Sequence, residues 1–239
     1  MNVELIAESA PKLLAGVPQT LSLVGLSLAL GFVLAVFIAQ QRLAKWRISR
    51  SLASAYVYVF RGTPLLVQIY LIYYGSGQFR AELQDWGLWT FFREPYFCAV
   101  AALTLNTAAY TSEIIRGGIQ SVPRGQLEAA RAVGMQRGAM FRRITFPIAI
   151  RQALPAYGNE IILMVKSTSL ASTITILEVT GIAKKIIAAT FQPIEVFIIA
   201  GTIYLGINFV VTRIVHALER HLSPRRRAVS HRPVEVSIH

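Results

Sequence analysis

Long apolar runs alternate with short polar segments along this chain. Residues 20–39 carry no charge over 20 positions, about the length needed to cross a hydrocarbon core of roughly 30 Å. Residues 97–112 and 196–211 are also uncharged but shorter. Two further runs are interrupted. Residues 52–74 contain Arg61, Gly62 and Pro64, and residues 153–177 contain Glu160 and Lys166. The pattern predicts an all-α integral membrane protein with five transmembrane helices. The first run is long enough to span and no basic stretch precedes it, so a cleavable signal peptide is not expected.

The segments between the runs set an orientation. Residues 42–50 hold four basic residues and no acid, and residues 113–147 hold six basic and two acidic ones. From 221 onward there are four arginines and one glutamate. Residues 1–16 and 75–94 are richer in acids than in bases. Basic loops stay cytoplasmic. The expected arrangement is therefore an outside N-terminus, an inside C-terminus and an odd number of crossings. Lys184 and Lys185 would then lie outside, against the same rule. The expected divisions are a periplasmic segment 1–16, a transmembrane domain 17–220 with a cytoplasmic loop at 113–147, and a basic, disordered tail at 221–239.

Composition agrees with this placement. The chain is 54% hydrophobic and 15% charged, against about 25% charged in soluble domains. Net charge is +12, but it is spread over the cytoplasmic segments, so it reads as membrane topology and not as nucleic-acid binding. Chemistry inside the membrane has few candidates. All four histidines fall at or after His216, the one aspartate, Asp85, sits in an outer loop, and Cys98 is the single cysteine. No metal site, phosphate loop or catalytic set can be assembled from them. An enzyme is not expected, and the absence of an ATP-binding motif assigns any energy source to a partner.

The central charged stretch, "EAARAVGMQRGAMFRRITFP" from Glu128 to Pro147, predicts an amphipathic helix. Leu127, Ala130 and Gly134 share one face, Gly134 closes the helix, and a second short helix ends before Pro147. Residue chemistry alone leaves two readings: a solvated loop helix, or a docking helix for a cytoplasmic partner. The spacing Glu-Ala-Ala, three residues, Gly, nine residues, Ile-x-x-Pro resembles the coupling loop of ABC importer permeases. Glu128, Ala129, Ala130, Gly134, Ile144 and Pro147 match it, with Phe146 where leucine is usual. The stretches "FRGTPLLVQIYLIYYG", "LTLNTAAYTSEIIRGGIQSVPRGQ" and "YGNEIILMVKSTSLAS" are similar to polar amino acid permeases of the histidine and lysine/arginine/ornithine group. Over about residues 20–220 the chain resembles the M-type subunit of histidine, arginine or opine importers.

The resemblance implies a type I ABC importer transmembrane domain in the bacterial inner membrane. It implies an ABC ATPase dimer that uses ATP and Mg while this chain binds no cofactor. It also implies a second, Q-type permease and a periplasmic substrate-binding protein. Glu128, Ala129, Ala130, Arg131 and Gly134 would meet the ATPase, the small residues letting the helix sit deep in a groove. Arg131, Arg142 and Arg143 can equally be membrane-surface charge. A secondary transporter or channel acting without an ATPase is the alternative, and it leaves the coupling-loop spacing unexplained.

Ionisable groups in a span are costly and usually functional. Glu160 is the leading candidate for a cationic substrate, with Ser167 two turns on along the same face and Asn159 on a neighbouring stripe. Its alternative roles are an ion pair with Lys166 or Arg61, or a helix-end carboxylate. Asn106 and Gln68 either line the path or join helices by hydrogen bonds, as do Thr104 and Thr107. Arg61 either binds a substrate carboxylate or sits at a helix end beside an acid. Pro64 frees a carbonyl one turn earlier, and such breaks occur where backbone lines a cavity or is buried in protein.

Overall fold

A computed structural model describes residues 3–222; most of the basic tail lies outside the described residues. Within them the protein is entirely helical. The apolar face is turned outward. Leu21, Leu30, Val33 and Phe37 on α2 (Val17–Leu43) are exposed, as are Phe197, Leu205 and Phe209 on α12 (Pro193–Leu222). In water this would be unstable, and in lipid it is the expected surface.

The centre is α7 (Pro95–Gln120), which packs against α2, α3 (Arg47–Gly62), α4 (Leu65–Ser76) and α10 (Phe146–Ser167); two short helices, α5 (Arg80–Asp85) and α6 (Trp89–Phe92), lie between α4 and α7. Its buried face is built from small residues, including Ala99, Ala102, Ala108 and Ala109. Such residues bring helix backbones close where no hydrophobic effect drives association. The α2 crossing is the tightest. A Cβ on Gly31 would lie 2.3 Å from Thr107 Cγ2 and 3.3 Å from the Thr104 carbonyl, so only glycine fits.

Two helical stretches are long and apolar enough to cross a bilayer: Glu4–Leu43, comprising α1 (Val3–Leu14) and α2, and Pro193–His221. Among the described residues two bent pairs bring the number to four if each pair counts as one span. The central α7 spans 26 residues but carries Thr104, Asn106, Thr107 and Glu113, polar groups that its buried position tolerates.

Several local expectations change. The run 52–74 is not one continuous helix: α3 and α4 meet at an angle of 103°. The loop expected from residue 113 starts later, because α7 continues through Glu113 to Gln120. The helix expected to stop before Pro147 does not stop. After α8 (Arg124–Ala132) and α9 (Arg137–Met140), one turn of π-helix, Phe141–Thr145, runs directly into α10. Phe146 N–H donates to the Phe141 carbonyl, five residues back. Pro147 thus lies just after the π turn in a continuous helical run, and such an irregularity is where a helix accommodates a proline that cannot donate. Pro155 also lies within α10 without ending it.

The region after residue 177 forms α11 (Val179–Thr190), packed on α1 and α12. Its N-cap is Glu178, fully buried. The carboxylate accepts from Thr180 N–H at 2.9 Å, Gly181 N–H at 2.8 Å and Tyr204 O–H at 2.6 Å. This satisfies a helix terminus and ties α11 to α12. The sequence reading of ionisable groups passed over Glu178.

Candidate functional site: a charged cavity and an exposed coupling segment

The α3–α4 break leaves carbonyls without helical partners, and two side chains satisfy them. Gln68 Nε2 donates to the Phe60 carbonyl at 2.9 Å, the Thr63 carbonyl at 3.1 Å and Thr63 Oγ1 at 2.8 Å. Asn106 Nδ2 donates to Gln68 Oε1 at 3.0 Å and to the Phe60 carbonyl at 3.3 Å. Buried polar groups need such partners. Gln68 is therefore a bracket for the break and does not line the cavity. Asn106 does both.

Beside the break lies an open cavity of about 470 Å³, whose walls include Arg61, Pro64, Asn106, Tyr110, Glu160 and Ser167. Four of the six path residues expected from sequence thus converge. Asn159 does not: it is exposed on another face of α10. Lys166 is exposed as well and makes no ion pair with Glu160.

Glu160 is only 7% exposed. Thr107 Oγ1 donates to its Oε1 at 2.8 Å, across the α7–α10 contact. Among the described residues no donor reaches Oε2. The paired readings of Glu160, with Lys166 or Arg61, are both replaced by this hydrogen bond. A buried carboxylate with one oxygen unserved is a strong acceptor for a cationic group.

Arg61 stands at the other side of the cavity, its side chain 45% exposed. Its guanidinium stacks 5.1 Å from the Tyr110 ring centroid, and its Nη1 comes only to 4.0 Å of Glu113 Oε2. Glu113 is already held by Arg116, at 2.7 and 3.2 Å, and by Arg42. Arg61 is thus the loosest of three cations around one carboxylate. Tyr110, unflagged in the sequence, gains its place through this stacking. Its position one turn past Asn106 on α7 was the available signal.

The coupling segment is a different surface. In α8, Glu128, Ala129, Arg131 and Ala132 are exposed and Ala130 is buried against its own chain. Ala130 therefore does not belong to the exposed docking face expected of it. Gly134 takes φ +74°. Its N–H donates to the Arg131 carbonyl at 2.9 Å, and Met135 N–H to the Ala130 carbonyl at 3.0 Å. This paired closure is the Schellman motif, and the left-handed φ favours glycine. It fixes the end of α8 and leaves Val133, 78% exposed, beside it. Val133 is an apolar residue with no cover in this chain, which the spacing match did not single out.

Comparison with known proteins identifies the family. Residues 28–224 match the family described as binding-protein-dependent transport system inner membrane component. The nopaline transport system permease protein NocM of Agrobacterium fabrum is 67% identical over 228 residues, 95% of each chain. The octopine transport system permease protein OccM of Rhizobium meliloti is 55% identical, covering 94% of this chain and 91% of that one. The histidine/lysine/arginine/ornithine permease HisM of Escherichia coli K12 is 45% identical, covering 87% and 90%. Among solved structures, an amino acid ABC transporter crystallised with histidines superposes with a TM-score of 0.82 at 34% identity, covering 92% of this chain and 99% of that one.

Proposed function

The chain belongs to the family of binding-protein-dependent transport system inner membrane components, and from that premise we propose that its cavity passes a polar, cationic amino acid or an opine. The chain is a permease subunit of an amino acid or opine ABC importer. Permeases of this kind work with an ATPase, a substrate-binding protein and a second permease. Five crossings, an outside N-terminus and a different, Q-type chain as the second permease complete the proposed assembly. ATP and Mg belong to the partner ATPase.

One observation carries the substrate reading: Glu160 presents an unserved carboxylate oxygen to the cavity, with Arg61 facing the same space. A guanidinium, ammonium or imidazolium group of the substrate is drawn to Glu160, and a substrate carboxylate to Arg61. Asn106 and Ser167 supply neutral polar contacts between them. In the cell the binding protein delivers substrate to the outer side. ATP binding moves the coupling helices, and the exposed Glu128, Ala129, Arg131 and Gly134 transmit that motion. The catalytic step is hydrolysis in the partner, so this chain contributes a path and a mechanical link.

The test is uptake by the reconstituted complete transporter bearing Glu160→Gln, which keeps the Thr107 hydrogen bond and removes the charge. Import of a cationic amino acid falls roughly 10- to 100-fold, the worth of a hydrogen bond to a charged group. Unchanged uptake would overturn the role of Glu160.

A further inference from the structure

A second cavity, of about 710 Å³, opens beside the coupling segment and away from the path. Its walls come from the α2–α3 corner through Lys45, from the end of α8 through Arg131, and from the next helix through Arg137, Met140 and Phe141. Three cations line it and no carboxylate does. Among the described residues none of the three side chains makes an ion pair, although Glu128 lies one turn before Arg131 on the same helix. Like charges gathered on one concave surface raise its potential and favour an anion there.

Both walls are held in place. On one side Ser49 Oγ donates to Gln41 Oε1, and Ala44 N–H donates to the Gln41 carbonyl at 3.2 Å, so the corner bearing Lys45 is tight. On the other side the Gly134 closure fixes the end of α8. The depth of the cleft is marked by its neighbours. Trp46, next to Lys45, is 79% exposed, and Ile48 and Leu52 beyond it are also exposed. Phe141 stacks with Phe146 at 6.2 Å between centroids, both rings partly exposed. Tryptophan collects at the level of lipid headgroups, with apolar residues deeper in the bilayer.

We propose that this cleft binds the phosphate-bearing headgroup of an anionic membrane lipid, whose acyl chains run along the exposed apolar residues of α3. Basic pockets at the cytoplasmic ends of spans suit such headgroups. A lipid covers Trp46, Ile48 and Leu52 together with the cations. An acidic patch of the ATPase accounts for the cations alone. The inference rests on the inner-membrane placement and not on the substrate, so the Glu160 experiment and this one fail independently.

The complete transporter, with its ATPase, is placed in nanodiscs of phosphatidylcholine with or without phosphatidylglycerol, and retained lipid is read by native mass spectrometry. Phosphatidylglycerol is retained preferentially. The double variant Lys45→Gln, Arg137→Gln loses retention by roughly fivefold per cation removed, and Lys45→Arg with Arg137→Lys keeps it. Equal retention in the glutamine variant overturns the proposal. Displacement of the lipid by inorganic phosphate at matched concentration assigns the cleft to a free anion and overturns the lipid source. Loss of the ATPase from the glutamine variant with lipid retention unchanged assigns it to an acidic protein surface, which also overturns the proposal.

Discussion

The break between α3 and α4 and the coupling segment between α7 and α10 are both interruptions of transmembrane helices, yet they treat their polar groups oppositely. At the break, Gln68 and Asn106 gather the freed carbonyls, Thr107 holds Glu160, and two arginines hold Glu113. The carbonyls freed at the break are satisfied from within the chain, while Glu160 keeps one oxygen unserved and Thr104 and Thr111 on α7 keep buried hydroxyls without a partner. In the coupling segment the backbone is closed neatly at Gly134, while Glu128, Ala129 and Val133 face outward without cover. A buried polar group without a partner costs about 1–3 kcal/mol, so the break must be finished by its own residues. An exposed helix in water bears no such cost and can wait for another protein. Satisfaction from within distinguishes the break, and exposure without cover distinguishes the coupling segment.

The largest effect that would break this contrast is at Val133. Val133→Asp puts a charge on the uncovered apolar spot. It is expected to lower ATPase retained on the purified transporter by at least about tenfold, as for an interface anchor, with thermal stability of the permease unchanged. Full retention would mean that exposure there does not signal docking. At the break the opposite outcome is expected. Gln68→Leu strips four hydrogen bonds and costs about 1–3 kcal/mol, seen as a lower unfolding temperature in detergent with ATPase binding preserved. If the ATPase is lost and stability kept, the two regions have been assigned the wrong way round. The smallest effect sharpens the boundary. Gly134→Ala forces an L-residue to a left-handed φ at a cost of about 1 kcal/mol, expected as faster hydrogen exchange at the Met135 amide.

Much of this was readable before any coordinates. The uncharged runs, the break at Arg61–Pro64, the lone carboxylate Glu160 and the spacing from Glu128 to Pro147 are all local patterns, and each corresponds to a feature of the fold. Gln68 and Asn159 show where local reading ends. Both are polar residues in apolar surroundings. A sharp bend of 103° turns Gln68 back onto its own carbonyls, and the rotation of α10 sends Asn159 outward. Ala130 has the same lesson: helical periodicity placed it on a face, and only the packing of α8 determined that this face meets its own chain.

The amino-acid sequence alone settled the class, since 20 residues without a charge and a six-position spacing are properties of a segment and need no neighbour. It marked the break at Pro64, but not the fate of Pro147 or Pro155, which lie within the helical run that ends at Ser167. The pairs that make the site belong to the packed molecule. Thr107 and Glu160 are 53 positions apart, Glu178 and Tyr204 are 26 apart, and Arg42 meets Glu113 across two helices. Such contacts depend on the rotation and offset of whole helices, fixed by close approaches like that of Gly31 to Thr107, and no single stretch of sequence carries that information.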